Sequence, residues 1–128
     1  IRYDMKRLLT LMAVALVSSA AMAQAVIKFE KTNHNFGSFK KSEIKTCEFV
    51  FTNTGDKPLV IQQAYGSCGC TVPKYPEQPI APGAKAAIKV AFNGKSQFKG
   101  PFKKSITIRS NASNNITRVY IEGSLQEE

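Results

Sequence analysis

From Val26 onward no stretch of the chain keeps a helical period. Its apolar residues fall in short segments, alternate with polar ones, and are closed off by Gly, Pro, Asn or Asp. A backbone that sends every second side chain toward water can bury its other half only by pairing into sheets. Val26 to Glu30 opens the first sheet, and Phe36-Gly37-Ser38-Phe39 reads as a short second piece before a turn at Lys40 to Glu43. Cys47, Phe49 and Phe51 share one face of the next segment, with Lys45 and Glu48 expected mostly on the other. Asn53-Thr54-Gly55-Asp56-Lys57-Pro58 is a dense turn signal, in which Asn and Gly tolerate the positive backbone angles of a tight reversal. Leu59-Val60-Ile61 is apolar on both faces, which predicts a central strand.

The prolines from Pro73 to Pro82 favour extended geometry and predict a long surface connection, with Pro82-Gly83 turning the chain into the next strand. Ile88, Val90 and Phe92 alternate with polar or small residues. A loop rich in Gly and Lys follows, then Ile106 and Ile108, a turn at Asn111 to Asn115, and a last strand holding Val119 and Ile121 with Ile116 at its start. About seven short strands of this kind fit an all-β, immunoglobulin-like seven-stranded sandwich better than a small closed barrel. Phe49, Phe51, Ile61, Ile88, Val90, Phe92, Ile106, Ile108, Val119 and Ile121 are its expected inter-sheet core.

The first residues follow another logic. Lys6 and Arg7 precede an almost unbroken apolar run from Leu8 to Val17, and Ala21-Met22-Ala23 supplies the small residues a signal peptidase needs. The run is shorter than the roughly 20 apolar residues of a spanning helix. Residues 5–23 therefore read as an N-terminal signal helix cut after Ala23, and residues 24–128 as the sandwich domain in the periplasm or outside the cell. No cysteine follows the small residues, so no membrane anchor is expected after cleavage. Ile1 to Asp4 precede Met5, the natural start of such a signal, and are left out of the fold.

The chain carries 18 Lys and Arg against 9 Asp and Glu, and it stays basic once Arg2, Asp4, Lys6 and Arg7 are removed. Such a surface attracts anionic partners, and after export nucleic acid is the least available of them. Lys95, Lys99, Lys103 and Lys104 surround Phe98 and Phe102, a pattern that suits anionic polymers and equally suits protection of a sheet edge. His34, the single histidine, has no acid, serine or cysteine close in sequence, and the acidic residues are dispersed. No catalytic residue, metal site or cofactor site is expected from these. Asn111-Ala112-Ser113 and Asn115-Ile116-Thr117 match a glycosylation pattern but read as turn chemistry.

Cys47, Cys68 and Cys70 enter an oxidising compartment, and their odd number leaves at least one thiol unpaired in a monomer. In a strand, Cys68 and Cys70 would project to one face and could clasp a soft metal. If Gly69 lets the backbone bend, the two can instead pair in a tight, easily reduced ring, and a bridge to Cys47 is the other pairing.

Phe51 to Ile61, and Ile80-Ala81-Pro82-Gly83 leading into Ile88 to Phe92, resemble extracytoplasmic immunoglobulin-like modules related to the hydin and major-sperm-protein sandwiches. With Ser67-Cys68-Gly69-Cys70-Thr71-Val72-Pro73 between them, the order of motifs over Ile27 to Gly123 resembles a bacterial secreted family known only as a domain of unknown function. The resemblance implies a seven-stranded sandwich outside the cytoplasm and brings no substrate or catalytic residue; Cys47 is not part of its signature. Together these features point to a non-enzymatic binding or structural module of the envelope, with an envelope protein or anionic glycan as partner. A thiol-redox or soft-metal protein acting through Cys68 and Cys70 is the alternative. Protein isolated from the exporting host should begin at Gln24, and an intact mass that retains Leu8 to Val17 would overturn the reading of the leader.

Overall fold

The computed structural model describes residues 23–127, so the expected leader lies outside the described residues up to Ala23. Eight strands follow one another: β1 (Ile27–Phe29), β2 (Asn33–Lys40), β3 (Ile44–Asn53), β4 (Ile61–Gly66), β5 (Thr71–Lys74), β6 (Lys85–Asn93), β7 (Gly100–Ser110) and β8 (Ile116–Gln126). They form two four-stranded sheets, in the orders β1-β3-β6-β5 and β2-β8-β7-β4. All pairs are antiparallel except β2 with β8, which run parallel with a register shift between Asn35 and Ser38. The architecture is an immunoglobulin-like β-sandwich with one strand more than the expected seven.

That additional strand is β5. The passage from Pro73 onward was expected to be connection only, yet Thr71 to Lys74 pair with Phe92 to Lys89 before the chain leaves the sheet. Pro73 is tolerated because β5 is an outermost strand and the missing N–H can face away from the ladder.

Alternation decides the core. Phe49, Phe51, Ile88, Phe92, Ile106, Ile108, Val119 and Ile121 have no exposed surface, Val90 and Ile61 retain a trace, and Leu59, Phe39, Ile27 and Leu125 join them. At one end of this layer Phe92 stacks on Phe102 with ring centroids 4.4 Å apart, and Phe39 meets both edge-on at 6.0 and 5.9 Å. Such aromatic pairs add about 0.5–1.5 kcal/mol each beyond the area they bury.

Three local expectations are corrected. Lys45 belongs to the same row as Cys47 and Phe49, not the opposite one. Where that row runs out of the core its stem emerges, placing Nζ 5.5 Å from the centre of the Phe39 ring and 3.2 Å from Glu43 Oε2. Leu59-Val60-Ile61 is not a central strand. Leu59 is buried through an isolated bridge to Ile80, and β4 begins only at Ile61 and lies at the edge of its sheet. The apolar run satisfies two separate packing sites rather than two faces of one strand.

The turn after β3 also works differently from the expectation. Gly83 has a positive φ of 81°, as expected, but among the described residues none other than glycine does, and Gly55 does not either. A side chain at Gly55 would meet the Gln24 carbonyl and come within 2.7 Å of Val26 N. Glycine is there to let the N-terminal backbone pass. Asn53 acts through its side chain and is completely buried. Its Oδ1 accepts from Val26 N at 3.3 Å and Gly55 N at 3.0 Å, while Nδ2 donates to Lys57 O at 2.7 Å and Ile80 O at 3.0 Å.

Asn111 and Asn114 repeat the device near the surface. Asn111 Oδ1 accepts from Val60 N and its Nδ2 donates to Pro58 O; Asn114 does the same for Ile27 N and Ile27 O. Truncating Phe51 to Ala should cost about 3–5 kcal/mol through the cavity it leaves. Asn53→Ala removes no apolar contact, yet it should still cost about 3 kcal/mol by stranding buried backbone groups. Urea midpoints measure both, and an Asn53→Ala midpoint matching that of the native chain would show the amide to be idle.

Candidate functional site

Cys68, Cys70 and the loop from Lys95 to Lys99 gather at one end of the sandwich. β3 begins there and β6, β2 and β8 end there, since Ile44 faces Asn93 and Lys40 faces Gln126 across their ladders. The turn joining β4 to β5 reaches the same end, because Asn93 N donates to Cys70 O at 2.9 Å.

Cys68, Gly69 and Cys70 lie in that turn and not in a strand. The alternation that would send both sulfurs to one sheet face therefore does not apply. The turn folds back on itself, Thr71 N donates to Cys68 O at 3.3 Å, and the Cα atoms of Cys68 and Cys70 stand 5.3 Å apart with their sulfurs bonded to one another. Cys70 is buried and Cys68 half-buried. Thr71 was not singled out for this role: its Oγ1 lies 3.8 Å from Cys68 Sγ and 3.7 Å from Cys70 Sγ. A hydroxyl one residue after the second cysteine was the available signal.

Cys47 is not brought to this pair. It is half-buried in the middle of β3, facing Val90 across the ladder, and its thiol is free. Burial pushes the thiol up to about 11, against the lowering effect of Lys31 and with a further rise from Glu48. A thiol of that kind is protonated at neutral pH and a poor nucleophile.

The six residues of the expected basic and aromatic surface separate into two groups. Phe102 belongs to the aromatic stack and is half-buried, as is Lys104. Lys103 is exposed and its Nζ lies 5.2 Å from the centre of the Tyr120 ring. Lys95, Phe98 and Lys99 occupy the loop between β6 and β7, where Phe98 is 94% exposed. The loop is tied at its base by Lys95 N to Asn93 Oδ1 at 3.1 Å and by Gln97 N to Gly94 O at 3.0 Å, and it re-enters the sheet at Gly100 with φ 114°.

A second feature escaped the sequence reading. On the outer face of β3, β6 and β5, Thr46, Glu48, Val72, Lys74, Lys89 and Ala91 line an open depression of about 460 Å³. Val72 is 53% exposed there, and a loose Glu48 to Lys89 ion pair of 3.9 Å crosses its floor. His34 lies apart from both. Its Nδ1 accepts from Lys31 Nζ at 2.9 Å and its ring packs edge-on against Phe36 at 4.8 Å, while partial burial, then the Lys31 charge, hold its pKa below the ordinary value.

A family model described as "Protein of unknown function (DUF1573)" matches residues 27–125. No curated protein matches the chain in sequence. Among solved structures, a protein of unknown function from Porphyromonas gingivalis W83 is similar with a TM-score of 0.72 at 17% identity, over 82% of this chain and 49% of that one. The seventh PapD-like domain of human CEP192 follows with a TM-score of 0.61 at 9% identity, over 82% of this chain and 88% of that one. The periplasmic chaperone SfaE gives 0.58 at 11%, over 78% of this chain and 58% of that one. At these identities the likeness shows the sandwich alone. The chain spans about half the length of the P. gingivalis protein.

The cysteines can be counted directly. Freshly isolated, metal-free protein should take up one alkylating group when unfolded and three after reduction, the single early site being Cys47. In the folded state Cys47 should react slowly near neutral pH and faster as pH climbs toward 11. Because folding raises this pKa, its share of stability is full below the ordinary thiol value and lost as pH rises through 11. Two freely alkylated sulfurs at Cys68 and Cys70 would overturn the pairing.

Proposed function

The chain belongs to the DUF1573 family of unknown function, and on that footing we propose that it is a non-enzymatic, extracytoplasmic binding module of the bacterial envelope. The segment from Lys95 to Lys104 is its contact surface, and its partner is an envelope component that carries negative charge, an envelope protein or an anionic glycan. One observation carries this reading. Phe98 stands almost wholly in water between Lys95 and Lys99, on a loop whose base is fixed by its own hydrogen bonds and by the Phe102 to Phe92 stack behind it. The apolar run and small-residue site before Gln24 support the location, as does the likeness of the sandwich to a periplasmic chaperone.

In this reading the Cys68 to Cys70 link staples the turn beside the contact loop, since Cys70 O receives Asn93 N at the loop's root. A second reading, thiol-redox or soft-metal chemistry at the same pair, is favoured by one feature, the Thr71 hydroxyl shared by both sulfurs. It ranks second because no lysine, arginine or histidine contact to either sulfur accompanies that hydroxyl among the described residues.

The test is binding to envelope fragments from the host. The native protein should bind saturably and more weakly as salt rises. The combined variant Lys95→Glu, Phe98→Ala, Lys99→Glu should lose at least about tenfold in affinity with an unchanged unfolding midpoint, because all three side chains are exposed. Undiminished binding by that variant would refute the assignment of the surface.

A further inference from the structure

Phe98 is not the only apolar side chain at its end of the sandwich. Ile44, the first residue of β3, is 62% exposed and faces Asn93, the residue that leads into the Phe98 loop. Lys40 and Lys41 turn the chain between β2 and β3 at the same end, with Lys41 N donating to Gln126 O at 3.1 Å. The ion pairs among the described residues are Lys45–Glu43, Lys85–Glu30 and Lys89–Glu48. Lys40, Lys41, Lys95 and Lys99 take part in none of them, and no acidic residue occurs between Asn93 and Ser105. The opposite end holds the asparagine-braced turns and the segment from Gln24 to Val26.

We propose that this end is a peripheral membrane-docking surface. Phe98 enters the boundary between headgroups and acyl chains, Ile44 approaches it behind, and Lys40, Lys41, Lys95 and Lys99 lie against lipid phosphates. The inference rests on the Lys95 to Lys99 loop as the contact surface and goes beyond the protein or glycan partner given above, to an anionic bilayer.

The shape of the site selects lipid over the other anionic partners. A protein interface of standard size covers about 800 Å² on each side with complementary surfaces. A saccharide that stacks needs the flat face of a ring laid open on a supporting surface. Phe98 offers neither, for it is a single ring just after the Gly94 to Gln97 turn, exposed at 94%. A fluid partner can close around such a ring without having been shaped for it. The combination of one inserting aromatic and a collar of lysines is also how interfacial segments divide the work, with apolar burial giving depth and basic residues giving preference for anionic lipid. The loop needs no rearrangement to do this, because its base is already fixed by the bonds to Asn93 and Gly94.

The experiment is co-sedimentation of the exported protein with vesicles of phosphatidylcholine alone or mixed in equal parts with phosphatidylglycerol. Dextran sulfate serves as the soluble anionic probe. The native protein should bind the mixed vesicles and leave the neutral ones. Phe98→Ala should lower the partition about tenfold, and each of Lys95→Glu and Lys99→Glu about fivefold or more. Every variant carries the same N-terminus, so the differences report on the loop.

The chain has no tryptophan, so Phe98→Trp creates a single fluorescent reporter. Its emission should shift to the blue on mixed vesicles and stay unchanged with dextran sulfate. An unshifted emission at saturating mixed vesicles, or a Phe98→Ala variant that sediments like the native protein, would overturn the docking proposal. Binding to dextran sulfate without binding to vesicles would overturn it too, while leaving the broader binding role standing. Binding to neither probe, together with loss of envelope binding, would remove both.

Discussion

One side-chain amide holds together the end of the molecule where four backbone segments meet. Asn53 sits where β3 leaves the sheet, and its carboxamide has the donors and acceptor of a peptide group. It uses them as a peptide would, between Val26 and Gly55 on one side and Lys57 and Ile80 on the other. Its own backbone joins in, with Asn53 N donating to Ala84 O and Gly83 N to Asn53 O. The turns here are too tight to pair with one another as strands, and their polar groups are screened from water. A buried donor or acceptor left unmatched costs about 1–3 kcal/mol, so a single residue that settles four of them sets where every neighbouring turn must pass. The close passage of Gln24 to Val26 over Gly55 follows from that arrangement.

Period-two alternation made most of the sheet layer legible. Phe49, Phe51, Ile88, Val90, Phe92, Ile106, Ile108, Val119 and Ile121 are buried for the reason the pattern states, namely that sheet residues two apart share a face. What escaped the pattern was information it does not contain. Edge or centre depends on partners far along the chain, so the apolar run Leu59 to Ile61 was indistinguishable from a central strand. A proline passage hides a four-residue strand when the strand lies at an edge. Asparagine in a turn carries two meanings, backbone tolerance and side-chain bonding, and only the position of the neighbouring segments separates them. The same limit applied to the basic loop. Phe98 and Phe102 look alike in sequence, and they part because the strand's inward row begins at Phe102 and stacks it on Phe92.

The two ends of the sandwich thus follow different chemistry. One is closed by amide pairs that leave few backbone groups wanting. The other carries Lys40, Lys41, Lys95 and Lys99 outside the ion pairs of the described residues, a ring in open water and a sulfur-linked turn. Sandwiches of similar outline occur in a bacterial protein of unknown function, a human PapD-like domain and a periplasmic chaperone, so the outline by itself selects no activity. What a member of this family does lies in the residues it mounts on that outline.

The passage of the N-terminal segment over Gly55 has a consequence in time. Gln24 O accepts Asp56 N, Ala25 O accepts Ser113 N, and Ala25 is buried, so the backbone is already committed to the fold one residue after Ala23. A peptidase needs several residues of slack chain on both sides of the bond it cuts, and the finished domain has none to offer on one side. For a leader that ended at Ala23, as the residues before Gln24 lead one to expect, the cut would have to come while Gln24 to Val26 were still unseated, and their packing beside Gly55 would follow as the domain's last closure.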